Sequence, residues 1–269
     1  MLNWLQQLFK GKVSERAIPD TLWQATLAHY PFLAQLSIEQ QSRLRLLSSR
    51  FLAQKEFHGA QGMVITDNIA VAIAAQACLP VLQLGLAWYD DFVGIVVHPG
   101  QMLARREQTD EIGVVHRYNE VLAGEAMEGG PVALSWQDVA DAGQSAGQGY
   151  NVVIHEFVHK IDMRDGAADG CPPLPSRAAR TRWQNTMQAA YDGFREKVTI
   201  AERFGGEPTW LDPYGATSPA EFFAVASEAY FVSRSRFTED FAPLTALFDQ
   251  FFVPSKPRPG QDAISPSAG

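Results

Sequence analysis

The chain has 269 residues, 46% of them hydrophobic and 19% charged, which is enough apolar surface to offset chain entropy and excludes a disordered tail protein. Thirty acidic residues against 22 basic ones leave a net charge of −8, without the basic face that direct nucleic-acid binding requires. Two cysteines, Cys78 and Cys171, are too few for a disulfide scaffold or a CxxC metal knuckle and point to the cytoplasm.

In chain order, the opening MLNWLQQLFKGK places its positive charges after the apolar patch, the reverse of a signal peptide. Ser37, with Gln40 three residues on, forms a capping box that starts an amphipathic helix expected over residues 37–57. Residues 69–89 carry no charge, but Gln76, Pro80, Gln83 and the acidic flanks argue against a membrane span; a buried helix ending near Pro80, followed by an extended segment, is expected. FVGIVV at 92–97 and PVALSW at 131–136 read as strands. Between them lies a charged excursion with one short strand or turn, and DAGQSAGQGYN reads as a Gly/Ser-rich loop. The Pro-rich stretch 254–269 is expected to be disordered. The fold class is α+β, mainly helical with a small sheet.

The segment NVVIHEFVHKIDMR contains an HExxH arrangement. On a helix, His155 and His159 lie at i and i+4 on one face, spaced so that both can reach a single metal ion. Asn151 is placed to cap that helix, and Ile154, Phe157, Val158 and Ile161 repeat at i, i+3, i+4, i+7, so the core face and the histidine face do not compete. Imidazole and carboxylate donors, with no nearby thiolate, favour Zn2+. Glu156 is then the candidate general base.

A catalytic zinc needs a third protein ligand and one open position. Asp165 stands where a longer HExxH motif would place a histidine, but Asp162 replaces the glycine needed for the turn. Glu221 and Glu228 in SPAEFFAVASEAYFV are seven residues apart and share a helical face, so either can serve. Glu221 has a competing role in the capping box Ser218-Pro219-Ala220-Glu221. Asp162 is placed to accept a hydrogen bond from a ligand imidazole, or else is a solvated helix-end acid.

With HEFVHKID followed by DPYGATSPAEFFAVASE, and with LPVLQLGLAWYDDF, EIGVVH and GPVALSW in order before them, the sequence resembles the Mlc titration factor A family of zinc metallopeptidases. The resemblance covers most of the chain. It implies a gluzincin-like, zincin-like core similar to that of anthrax lethal factor, within a single metallopeptidase domain over 12–253: a helical part at about 12–90 and a catalytic core at about 91–253. It implies that Glu221 is the third zinc ligand, leaving Glu228 to pack or to orient a ligand, and that Tyr214 donates to the oxyanion. It further implies His116 as a fourth ligand of the resting zinc or a group that blocks the site. The implied activity is aminopeptidase-like cleavage of a peptide substrate, with binding of a glucose-responsive transcriptional repressor and hence an indirect effect on sugar-uptake genes. The alternative is a repressor-sequestering protein with a latent zinc site. The strand at 132–135 is expected to run along the cleft and pair with an extended substrate.

Overall fold

The computed structural model describes residues 17–109, 115–166 and 168–254, with 103–109 and 115–122 described by their backbone alone. The expected tail beyond Pro254 and the opening segment lie outside the described residues.

Three helices open the described chain: α1 (Asp20–His29), α2 (Pro31–Ala34) and α3 (Ile38–Gln54). The capping box at the start of α3 is present, with Ser37 Oγ accepting from the Gln40 amide at 3.2 Å and the Gln40 side chain accepting from the Ser37 amide at 3.0 Å. α3 ends at Gln54, short of the expected residue 57, because Glu56–Gly59 is taken into a strand, β1. Helix α4 (Asp67–Cys78) is capped by Thr66 and buried on every side from Ile69 to Cys78, which explains its small alanine side chains and lack of an amphipathic stripe. After it the chain does not run extended as expected. Successive tight turns and a 3-10 turn, Leu86–Tyr89, follow instead, with Gly85 supplying a left-handed φ of +86°. No helix among the described residues is long and apolar enough to cross a membrane.

Strand β2 (Gly94–His98) coincides with most of FVGIVV. The charged excursion holds more structure than its sequence signals: β3 (Met102–Thr109) and β4 (Val115–Leu122) pair as an antiparallel hairpin in which Met102 faces Leu122, and a three-residue strand, β5 (Gly124–Ala126), follows. Strand β6 (Val132–Ser135) completes a four-stranded sheet of order β1–β2–β6–β5, parallel except for β5. Ser135 then caps α5 (Trp136–Ser145), so the first half of the expected Gly/Ser-rich loop is helical. Gly149, with φ +77°, turns the chain into α6 (Val152–Asp162); a Cβ there would lie 2.8 Å from the Trp210 ring.

The remaining helices are α7 (Arg177–Phe204), α8 (Pro219–Val232), α9 (Arg234–Asp240) and α10 (Ala242–Phe252). One continuous apolar core runs from Ile18 to Phe252. α6 sits at its centre: Phe157 packs its ring against Phe51, Tyr89 and Phe92 at centroid distances of 5.6, 5.1 and 5.9 Å. The helix that bears both motif histidines is therefore held between the sheet and the helical layers, as a rigid platform for a site requires.

Candidate metal centre and active site

The first turn of α6 is fixed by a buried polar chain. Asn151 Oδ1 accepts from the Ile154 amide at 2.9 Å, as expected of its capping position, and its Nδ2 donates to Gln76 Oε1 of α4 at 2.7 Å. The Asn151 backbone amide donates to Glu228 Oε2 of α8. Ile154, Phe157, Val158 and Ile161 are all fully buried, so the helix has no rotational freedom and presents His155 and His159 on the remaining face.

On that face three donor atoms meet. His155 Nε2 and His159 Nε2 lie 3.2 Å apart, and Glu221 Oε2 lies 3.0 Å from the first and 3.3 Å from the second. The three belong to the one group among the described residues whose donor atoms could hold a metal ion. Zn2+ with bonds of about 2.0–2.1 Å in tetrahedral geometry separates its ligand atoms by about 3.3 Å, so the observed triangle fits the ion's coordination with little adjustment. Glu221 retains only half of the expected capping box: its amide donates to Ser218 Oγ at 3.2 Å, while its carboxylate turns to the imidazoles.

Glu228, two turns further along α8, meets His155 from the opposite side of the ring. Its Oε1 accepts from Nδ1 at 2.7 Å, which keeps a proton on that nitrogen and leaves Nε2 as the ring atom facing Glu221 and a metal ion. Burial pulls the His155 pKa down, but the Glu228 charge and the hydrogen bonds to Glu221 and Glu228 outweigh it, holding the ring well above its ordinary value. Burial likewise pushes Glu221 up, and the hydrogen bonds from His155 and His159 prevail, keeping its carboxyl well below the usual range. The centre thus has the charge distribution that a cation would replace.

Glu156 is only 5% exposed, and burial pushes its pKa up to about 6. Gly124 makes room for it, since a Cβ there would lie 2.5 Å from both Cγ and Oε1 of Glu156. Tyr214 stands on the turn Pro213–Ala216, held by its amide's 2.9 Å bond to Asp212 Oδ1; its ring lies 6.3 Å from that of His155 and is 39% exposed at the mouth of the site. These groups line a cleft of about 600 Å³ walled by β5, α6, the Tyr214 turn and α8.

Other expected residues are placed differently. Asp162 is fully buried and accepts from the Gly170 amide at 2.8 Å, so it fixes the loop after α6; its Oδ1 has no partner, and no described hydrogen bond joins it to a ligand imidazole. His116 sits in β4 opposite Gln108, and its side chain lies outside the described residues. Strand β6 cannot pair with a substrate, because β2 and β5 occupy both of its edges. The edge toward the cleft belongs to β5. The Ser135 amide bonds to Ala123 O and the Met127 amide to Pro131 O, so residues 123, 125 and 127 face β6 and the backbone groups of Gly124 and Ala126 turn outward. No sequence signal marked Gly124 or β5, because the strand is three residues long and begins with glycine.

Two imidazoles and a carboxylate converge beside a buried glutamate, a donor set that could hold a metal ion. Residues 3–253 match the family described as Glucose-regulated metallo-peptidase M90, and the chain belongs to that family. It is 38% identical over 249 residues to Mlc titration factor A of Cronobacter sakazakii, covering 92% of this chain and 89% of that protein. It is 37% identical over 254 residues to the protein of the same name from Escherichia coli O1:K1 / APEC, covering 94% and 91%. Membership of a metallopeptidase family implies a metal cofactor, and His155, His159 and Glu221 fit one.

Proposed function

We propose that the protein is a zinc-dependent peptidase, with His155, His159 and Glu221 as metal ligands. The observation that carries this reading is the donor triangle with sides of 3.0, 3.2 and 3.3 Å next to the buried Glu156. Zinc bound there would acidify a water toward neutrality and polarise the scissile carbonyl. Glu156 takes the proton from the attacking water and passes it to the leaving amine; a pKa of about 6 suits both directions of transfer near neutral pH. Tyr214, through its phenol, donates to the oxyanion that develops on the carbonyl. Glu228 holds His155 in the ligating tautomer. The outward N–H and C=O groups of Gly124 and Ala126 pair with an extended peptide, aligning its scissile bond above Glu156. On the family resemblance, cleavage is of the aminopeptidase type, and His116 completes or covers the resting site. The work is done by a single domain over 12–253 in the cytoplasm.

The test is zinc content and peptide hydrolysis in the wild type and in Glu156→Gln. One zinc per chain in both, with turnover only in the wild type, supports the assignment; unchanged turnover in the variant removes Glu156 as the base.

A second reading draws on the relatives' name, Mlc titration factor A. The protein also binds a glucose-responsive repressor and so affects sugar-uptake genes through a protein partner rather than through DNA. Capture of the repressor by Glu156→Gln, which retains the fold without the base, separates binding from hydrolysis.

A further inference from the structure

The mechanism leaves one buried cation on α6 unused. Lys160 follows Glu156 by one helical turn and has no solvent-exposed surface. Its Nζ donates to the carbonyl of Met127 at 2.5 Å and to that of Gly130 at 2.9 Å, with Asp91 Oδ2 3.9 Å away and the Phe92 ring centroid at 4.5 Å. Met127 and Gly130 close the turn between β5 and β6, where the Gly130 amide in turn bonds to Met127 O. A buried lysine is costly unless its hydrogen bonds are satisfied, so this placement demands a reason.

The reason lies in what the turn carries. β5 touches α6 at two points one helical turn apart: Gly124 against the carboxylate of Glu156, and the turn at 127–130 against the ammonium of Lys160. A three-residue edge strand has little pairing of its own to set its height over a helix. We propose that Lys160 is a positioning residue that clamps the end of β5 to α6 and so fixes the substrate-pairing edge relative to Glu156. This rests on the peptidase reading above. Lysine suits the task because one ammonium reaches two carbonyls at once, which a neutral apolar side chain of the same length cannot do.

Lys55 supplies the control. It is also buried, and its Nζ stands 3.9 Å from the centroid of the same Phe92 ring, but it donates to the carbonyls of Tyr89 and Phe92 rather than to the β5–β6 turn. Lys160→Met and Lys55→Met each remove one buried ammonium from this node; only the first releases the strand. In the full-length zinc-loaded protein, Lys160→Met is expected to speed amide hydrogen exchange at Met127 and Gly130 more than about tenfold over wild type, and Lys55→Met to leave those amides unchanged. Lys160→Met should also raise KM about tenfold for a peptide long enough to lie along β5, with kcat and the KM of a single-residue anilide within about twofold of wild type. Equal exchange in the two variants, or fast exchange at the turn with unchanged peptide KM, would overturn the proposal. If the wild type cleaves no peptide, the peptidase reading fails, and the exchange contrast still decides whether Lys160 holds the strand.

Discussion

Replacing Glu228 with glutamine keeps the shape of the side chain and removes one acceptor from a pair of buried donors. In the wild type Oε1 takes the Nδ1–H of His155 at 2.7 Å while Oε2 takes the Asn151 amide. Whichever way the introduced carboxamide turns, its NH2 faces one of those donors. Turned toward His155, it favours the tautomer that places the proton on Nε2, the atom that faces Glu221. A charge-assisted hydrogen bond of this kind is worth about 1.5–3 kcal/mol, which corresponds to roughly 10- to 100-fold in affinity. Zinc affinity measured by competition with a chelator near neutral pH is therefore expected to fall by about that factor, with the fold intact by circular dichroism. Glu221→Gln, which alters a ligand itself, should fall further. Zinc affinity within about twofold of wild type in Glu228→Gln would refute the idea that Glu228 sets the ligating state of His155.

Tyr214→Phe should keep its zinc and lose about 10²- to 10³-fold in kcat, the usual range for one oxyanion donor, with little change in KM. Gly124→Ala places a Cβ only 2.5 Å from Glu156 Oε1 and is expected to cost about 1–3 kcal/mol in chemical denaturation and to depress kcat more than KM. Asp162 has its pKa pushed by burial from 3.8 up to about 7. Because the folded state holds that proton more tightly than the unfolded chain, the associated stability is fully present below about pH 4 and lost as pH rises through about 7, at up to about 1.4 kcal/mol per pH unit. Asp162→Asn lacks this slope, so the metal-free variant should gain in melting temperature on metal-free wild type between about pH 5 and about pH 8. Parallel pH profiles would contradict it. Phe157→Ala should cost about 3–5 kcal/mol, since three other rings lose their partner.

How far the sequence could be read depended on the range of the interactions involved. The α6 helix was legible because its cap, its apolar repeat and its two histidines are all local, and every apolar position it predicted is buried. Spacing alone left Glu221 and Glu228 open for a good physical reason: seven residues put both on one face, and the structure brings both to His155, one to each ring nitrogen. Choosing between Nε2 and Nδ1 requires the orientation of a second helix, which no local pattern encodes. The capping box at α8 was half right, because the imidazoles compete for the Glu221 carboxylate. Strand β5 stayed hidden because it owes its existence to pairing with β6 and to contact with α6, and the β3–β4 hairpin because its charged strands do not show an apolar alternation. The irregular turns after α4 are closed by short-range backbone bonds such as Leu82 N to Leu79 O and Leu84 N to Val81 O, which an apolar, strand-like run does not signal, and Gly85, with its positive φ, ends them.

The central claim is that His155, His159 and Glu221 together hold one zinc ion. Zinc K-edge X-ray absorption on the protein as purified tests it most directly. The account predicts one zinc per chain and a shell of nitrogen and oxygen at about 2.0–2.1 Å with imidazole scattering, lost in Glu221→Ala. Sulfur at about 2.3 Å, or the same shell and stoichiometry in Glu221→Ala, would contradict it.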